Sequence, residues 1–87
     1  MTTVTVRDFV LEEIARASGV PPANLRDDLK LQADLVIAHQ NYVVLAQNLD
    51  AFIQENNANQ SLALSDIDTP AATVGSVITL VSTRIAA

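Results

Sequence analysis

Few side chains in this chain of 87 residues could carry out chemistry. The sequence has one histidine, His39, and no cysteine. The lack of cysteine excludes disulfides, thiol catalysis and thiolate zinc sites. An imidazole titrates near neutral pH, but catalysis by a histidine needs a positioned partner group. The sequence offers no recognisable partner, so His39 is interpreted either as an exposed polar residue or as a contact to another protein.

Two groups of acidic residues could bind a metal ion. Asp27 and Asp28 form a doublet between two basic residues, which is typical of a solvated turn. Ser65, Asp66 and Asp68 resemble half of a calcium loop, but the glycine and the distal glutamate of such a loop are missing. We therefore predict no metal site, no cofactor and no catalytic residue, and we expect that the chain is not an enzyme.

The charge and composition of the chain exclude further classes of function. Ten acidic and five basic residues give a net charge of −5, which argues against nucleic-acid binding. Hydrophobic residues make up 49% of the chain, enough for the core of one domain spanning residues 1–87. The longest apolar runs, such as Val43–Ala46, are too short for a membrane span or a secretory signal. These features favour a cytoplasmic protein.

The spacing of apolar residues predicts the first helix. Val6, Val10 and Ile14 recur at helical intervals, so we predict a helix from about Thr5 to Ser18. Gly19 follows, and glycine is the residue that most readily ends a helix in the left-handed conformation.

A stretch without glycine or proline, Leu25 to Gln54, predicts a second helix. Its apolar residues alternate in steps of four and three: Leu31, Leu35, Ala38, Tyr42, Leu45, Leu49 and Phe52. The part from Asn41 to Gln54 is predicted to be helical. Periodicity alone leaves open whether the helix begins near Asp27 or near Ala38.

The remainder of the chain predicts a loop followed by a last helix. The polar stretch from Asn56 to Ser61 has low helix propensity and is predicted to be a loop. The last helix begins either at Thr69, which precedes a proline, or at Thr73. Its apolar residues fall at helical spacing: Val74, Val77, Ile78, Val81 and Ile85. The predicted fold class is therefore all-α.

The apolar positions and the turn residues together resemble those of acyl carrier proteins. The matching positions are Val10, Ile14, Gly19, Val20, Leu25, Leu31, Asp34, Leu35, Val43, Leu45, Leu49, Ile53, Thr73, Val74, Ile78 and Val81. From Val10 to Ile53 the register contains no gap. The resemblance implies a four-helix bundle with a long loop after the first helix.

Acyl carrier proteins hold their intermediates on a phosphopantetheine arm, which is attached to the serine of an Asp-Ser-Leu motif at the start of helix two. Here Ala38, His39 and Gln40 align with that motif, and Val36 stands where the family has glycine. An imidazole cannot form the stable phosphodiester that a hydroxyl forms. The resemblance therefore implies a carrier-like protein without a prosthetic group.

Such a protein would dock on a partner through helix two, as the family does. The partner implied is a fatty-acid, polyketide or related biosynthetic enzyme, or a scaffold. The residues that match the family's interface positions are His39, Gln40, Val44, Gln47, Asp50 and Ala51.

Two alternatives remain open at this point. The chain could be a working acyl or peptidyl carrier that is modified at another serine: Ser18, Ser61, Ser65, Ser76 or Ser82. It could also be an unrelated oligomerising protein with three helices, whose long central helix spans Leu25 to Gln54. At 1.5 Å per residue, that helix would be about 45 Å long.

Overall fold

The computed structural model describes the backbone of residues 3–87 and the side chains from residue 6 onward. The described chain contains three α-helices: α1 (Thr3–Ser18), α2 (His39–Asn56) and α3 (Val74–Ala86). Two short 3-10 turns lie between them, at Pro22–Asn24 and Leu64–Asp66. Residues 3–87 form no strand beyond an isolated bridge between Lys30 and Thr73, so the all-α prediction is confirmed.

Helix α1 ends where the sequence predicts but extends further toward the N-terminus than expected. It already includes Thr3, two residues before the predicted start. Gly19 follows its last residue with a φ of 78°, in the left-handed region that glycine adopts without strain. The backbone N–H of Gly19 donates to the carbonyl of Ala15 at 2.8 Å, which satisfies one of the free carbonyls at the helix end.

A loop of residues 19–38 separates α1 from α2, so a single helix from Leu25 to Gln54 is wrong. Four apolar side chains of the loop are buried in the core: Leu25, Leu31, Leu35 and Ile37. A turn at Lys30 bends the chain, because its backbone N–H donates to the carboxylate of Asp34 at 2.8 Å. Helix α2 therefore begins at His39, and the three-helix alternative fits in the number of helices but not in the length of the central one.

Helix α3 is capped by Thr73. Its hydroxyl accepts from the backbone N–H of Ser76 at 3.1 Å, and the Ser76 hydroxyl accepts from the backbone N–H of Thr73 at 2.8 Å. This reciprocal pair is a capping box. The alternative start at Thr69 is wrong, since the proline that follows lies in a turn. A fourth α-helix is not observed in residues 3–87, because the segment before α3 forms only the turn at Leu64–Asp66.

The start of α3 is joined to the loop of residues 19–38 by backbone hydrogen bonds. The first amides of the helix, those of Val74 and Gly75, donate to the carbonyls of Leu29 and Asp27, each at 2.9 Å. The backbones approach so closely that a Cβ on Gly75 would lie 3.0 Å from the Cβ of Asp27. A side chain at position 75 would therefore force α3 and the loop to move apart by a few tenths of an ångström.

One hydrophobic core joins the three helices and the loop. The most deeply buried side chains are Val10, Ile14, Leu31, Leu45, Leu49, Ile53, Ile67, Val74, Val77 and Val81. The aromatic rings of Phe9 and Phe52 stack between α1 and α2, with their centroids 3.9 Å apart. No helix in the described part of the chain combines the length and the apolar character needed to cross a membrane.

Candidate protein-interaction face

Helix α2 has one buried and one exposed face. It buries six side chains: Tyr42, Leu45, Ala46, Leu49, Phe52 and Ile53. On the opposite side, Gln40, Val44, Gln47 and Ala51 are exposed and follow one another at helical intervals. We refer to these four residues as the α2 face. None of them carries a charge, although the chain as a whole has a net charge of −5.

Two apolar side chains near this face are exposed to solvent. Val44 lies within the α2 face and is 54% exposed, and Val36 precedes the helix and is 74% exposed. Val36 also has a φ of 52°, a left-handed conformation that is unfavourable for a β-branched residue. His39 is exposed at the first position of α2, and the preceding Ala38 provides no side-chain cap.

Asp50, one of the predicted interface residues, forms its hydrogen bonds within the molecule. One carboxylate oxygen accepts from the backbone N–H of Leu62 at 2.8 Å, and the other accepts from the side-chain amide of Gln54 at 3.0 Å. The half-buried carboxylate thus fixes the chain that follows α2. The other five predicted interface residues are all exposed: His39, Gln40, Val44, Gln47 and Ala51.

A pocket between α1 and α2 adjoins the α2 face and was not predicted from the sequence. It has a volume of about 110 Å³, and we refer to it as the α1–α2 pocket. Its lining consists of Glu13, Arg16, Ala17, Asn41, Val44, Leu45 and Asn48. Val44 belongs both to the pocket and to the α2 face, so the two features are continuous.

The carboxylate in this pocket is deeply buried and weakly partnered. Glu13 is only 7% exposed. One of its oxygens lies 3.5 Å from the side-chain nitrogen of Asn48 and 3.7 Å from a guanidinium nitrogen of Arg16. Both distances are at or beyond the limit of a good hydrogen bond. The sequence did contain a signal, because Glu13 interrupts the apolar pattern of α1.

Both members of the acidic doublet form ion pairs within the molecule. Arg7 donates to both carboxylate oxygens of Asp27, at 2.8 and 3.3 Å, and Asp28 pairs with Arg26 at 3.3 Å. The hydrogen bond from Arg7 lowers the pKa of Asp27 below its usual value, although partial burial opposes this shift. Within residues 3–87, no group of three histidine, aspartate or glutamate side chains could hold a metal ion.

The carboxylates of the second acidic group, Asp66 and Asp68, also form contacts within the molecule. The Asp66 carboxylate accepts from the backbone N–H of Ala63 at 2.9 Å and lies 3.3 Å from the guanidinium of Arg84. Asp68 accepts from the side-chain amide of Gln32 at 3.0 Å. These carboxylates therefore stabilise the turn before α3 and do not surround a common site.

One buried polar atom has no hydrogen-bond partner among the described residues: the hydroxyl of Tyr42. Burial raises its pKa to about 12, with a smaller contribution from the negative charge of Asp68. The neutral form of the phenol is therefore strongly favoured in the folded protein.

None of the serines named as alternative attachment sites belongs to α2. The Ser76 hydroxyl belongs to the cap of α3, and the Ser18 hydroxyl accepts from the backbone N–H of Val20 at 3.2 Å. Ser61 and Ser65 are exposed in the connection between α2 and α3, and Ser82 is half-buried within α3.

Comparison of the chain with protein-family models, with curated protein sequences and with solved structures gives no match. Its function must therefore be argued from the residues and their geometry.

Proposed function

We propose that this chain is a non-catalytic, carrier-like interaction module without a prosthetic group, and that it docks on a partner enzyme or scaffold through the α2 face and His39. The observation that carries this proposal is the position of α2. The helix begins at His39 after the loop of residues 19–38 and exposes four uncharged residues along its length.

The start of α2 supports the carrier-like part of the proposal. The resemblance to acyl carrier proteins puts the attachment residue at the beginning of helix two, and His39 is the first residue of α2. The family has glycine where this chain has Val36, and the φ of 52° at Val36 is one that glycine adopts most easily. A positive φ at Val36 supports the alignment of this position with the glycine of the family.

The side chains at this position argue against a prosthetic group. Transfer of phosphopantetheine needs a hydroxyl, and neither Ala38, His39 nor Gln40 has one. The serines elsewhere in the chain are not at the start of a helix that resembles helix two. The proposal therefore keeps the docking role of the family and omits its covalent chemistry.

The α2 face indicates which partner surface would fit. Acyl carrier proteins present an acidic helix two to basic enzyme surfaces, whereas Gln40, Gln47 and Val44 here offer hydrogen-bonding and apolar groups. A face without charge gives little long-range attraction, so association would depend on short-range contacts. By the resemblance, the partner is a fatty-acid, polyketide or related biosynthetic enzyme.

Site-specific crosslinking in the natural host tests the docking face. A photoreactive p-benzoylphenylalanine replaces Val44 in one variant and Thr79, an exposed residue of α3, in the control. We expect a crosslinked partner from position 44 and none from position 79. The double variant Val44→Lys and Gln47→Lys should abolish copurification of that partner, whereas Thr79→Lys and Thr83→Lys should not.

Three results would contradict the proposal. A partner that still copurifies with the folded Val44→Lys and Gln47→Lys variant would show that the α2 face is not the docking surface. A crosslinked product that contains only two copies of this chain would favour the oligomerising protein. An intact mass that gains phosphopantetheine, in the host or after incubation with coenzyme A and a transferase, would favour the working carrier.

A further inference from the structure

The α1–α2 pocket has a chemical character that the α2 face lacks. The face is uncharged, but the pocket beside it contains the Glu13 carboxylate, which is 7% exposed. Burial of a carboxylate is unfavourable unless hydrogen bonds or an opposite charge compensate for it. The contacts of Glu13, at 3.5 Å to Asn48 and 3.7 Å to Arg16, compensate for it poorly.

The polar groups around Glu13 are suited to a ligand that donates hydrogen bonds. The side-chain nitrogen of Asn41 donates to the carbonyl of Ala17 at 3.2 Å, and that of Asn48 is directed to Glu13. Each asparagine thus uses its nitrogen within the molecule and keeps its amide oxygen as an acceptor. Lysine and arginine side chains carry only donors, and they pair with carboxylates more strongly than neutral donors do.

The walls of the pocket are suited to an alkyl stem. Ala17, Val44 and Leu45 contribute apolar surface to the lining of the pocket, together with the Glu13 carboxylate. A single water molecule needs about 10–15 Å³ of such space, so the volume of about 110 Å³ accommodates a chain of several methylene groups. Long basic side chains bury their stems along apolar surface in this manner.

Arg16 lines the pocket but is loosely held there. Its side chain is 74% exposed, and its guanidinium lies 3.7 Å from the buried Glu13 carboxylate, too far for a good hydrogen bond. A cation that enters the pocket can therefore displace the Arg16 guanidinium from the Glu13 carboxylate at little cost.

We infer that the α1–α2 pocket receives a lysine or arginine side chain of the docking partner, whose cationic end pairs with Glu13. This inference rests on the proposed function, because it assumes that a partner covers the α2 face. It adds a specific requirement: the partner presents a basic side chain next to the uncharged surface that contacts Val44.

Titration with isolated amino-acid derivatives tests the pocket without the partner. The probes are the Nα-acetyl, N-methylamide derivatives of lysine, arginine and norleucine, the last of which has a stem like that of lysine but no charge. Binding is followed by NMR through the backbone amides of Asn41 and Val44 and the side-chain amide of Asn48. We expect saturable shifts with the lysine and arginine derivatives in the millimolar range and at least about tenfold weaker binding of the norleucine derivative.

Three variants locate the charge that is responsible. Glu13→Gln should weaken binding of the lysine derivative at least about tenfold, because the pocket then lacks a negative charge. Glu12→Gln makes the same change at the exposed neighbouring residue and should leave binding unaltered. Arg16→Ala, a change of an exposed side chain, removes the competing cation and should strengthen binding about two- to fivefold.

Several results would overturn the inference. These are no saturable shift with either basic derivative, equal binding of the norleucine derivative, unaltered binding to Glu13→Gln, or equal losses in Glu12→Gln and Glu13→Gln. If Glu13→Gln does not fold, the Arg16→Ala variant provides the test. Unchanged or weaker binding of the lysine derivative to Arg16→Ala would contradict the pairing of the probe with Glu13. If the pocket fails but crosslinking from position 44 succeeds, only this inference is wrong and the docking face stands.

Discussion

The two long connections between the helices are held in place by different kinds of interaction. In the loop of residues 19–38, four buried apolar side chains fix the chain, and backbone hydrogen bonds join it to the start of α3. In the connection of residues 57–73, polar side chains bind backbone groups. Both segments bury apolar side chains, among them Leu31 in the first and Ile67 in the second. They differ in their hydrogen bonds, because the first is joined to α3 through backbone groups and the second is held by polar side chains.

The polar contacts of the second connection come from residues on several elements. The side-chain nitrogen of Asn57 donates to the carbonyl of Ala87 at 2.8 Å, beyond the end of α3. Arg84 donates to the carbonyl of Ser61, and Asp50 accepts from the backbone N–H of Leu62. Removal of a polar side chain should therefore loosen the second connection more than the first, whereas both should respond to the loss of a buried apolar side chain.

The largest expected effect is that of Leu31→Ala in the first loop. Leu31 is fully buried, and loss of a buried leucine removes transfer free energy and leaves a cavity. We expect the free energy of unfolding, measured with urea, to fall by about 2–5 kcal/mol. Asp50→Asn in α2, which weakens one charge-assisted hydrogen bond to the second connection, should cost about 1–2 kcal/mol. A larger loss in Asp50→Asn than in Leu31→Ala would contradict this ranking.

A smaller loss of stability is expected when the pH is lowered, and it should arise in the second connection. The backbone hydrogen bond from Ala63 lowers the pKa of Asp66, burial opposes the shift, and Arg84 adds to it. A carboxyl group whose pKa is lowered by folding stabilises the protein above its unfolded pKa near 4, and this contribution is lost as the pH falls through the lower, folded value. We expect Asp66→Asn to lose about 1 kcal/mol at neutral pH and to show a flatter decline below pH 4.

Asp27 provides the control for this measurement, because its pKa is also lowered but by the exposed guanidinium of Arg7. Salt screens exposed ion pairs more than it weakens a hydrogen bond to the backbone. In high salt, the acid response of Asp27→Asn should therefore match that of the unmodified chain, while that of Asp66→Asn still differs. Equal behaviour of the two variants at high salt would contradict this assignment.

The smallest changes in stability are expected at the two exposed valines, Val36 and Val44. Val44→Gly lies within α2 and should cost about 0.5 kcal/mol, because glycine is the poorer helix former. Val36→Gly relieves a left-handed conformation that costs a residue with a Cβ about 1–2 kcal/mol, and this gain offsets the greater freedom of glycine in the unfolded chain. We expect unchanged or slightly raised stability by urea unfolding. A loss larger than that of Val44→Gly would show that Val36 is not strained.

The sequence predicted the helices more reliably than the loop between the first two of them. The apolar spacing predicted both α1 and α3, although the start of α3 was left between Thr69 and Thr73, and Gly19 marks the end of α1. Leu31 and Leu35, by contrast, have helical spacing but lie in the loop. Their positions are set by tertiary contacts, such as the hydrogen bond from the backbone N–H of Leu31 to the carbonyl of Ala72 at 3.1 Å, which periodicity does not contain.

Some features of the candidate site could likewise be predicted from the sequence, and others could not. The exposure of Val44 and Gln47 could be predicted, since it requires only the helical period and the buried stripe of α2. The role of Asp50 could not, because its partner Leu62 belongs to an irregular segment. Glu13 was visible as an interruption of the apolar pattern, but its weak contact with Asn48 depends on how α1 packs on α2.

The hydrogen bonds between the loop and the start of α3 also constrain the order in which the molecule can fold. Leu29 and Val74, whose backbones are joined, lie 45 positions apart in the sequence. The carbonyls of Asp27 and Leu29 gain their hydrogen bonds only when α3 has formed and packs against the loop. Until then, the loop of residues 19–38 lacks its backbone attachment to α3. Closing so large a stretch of chain is entropically costly and slows folding. The segment that presents His39 would thus be among the last parts of the protein to acquire its final shape.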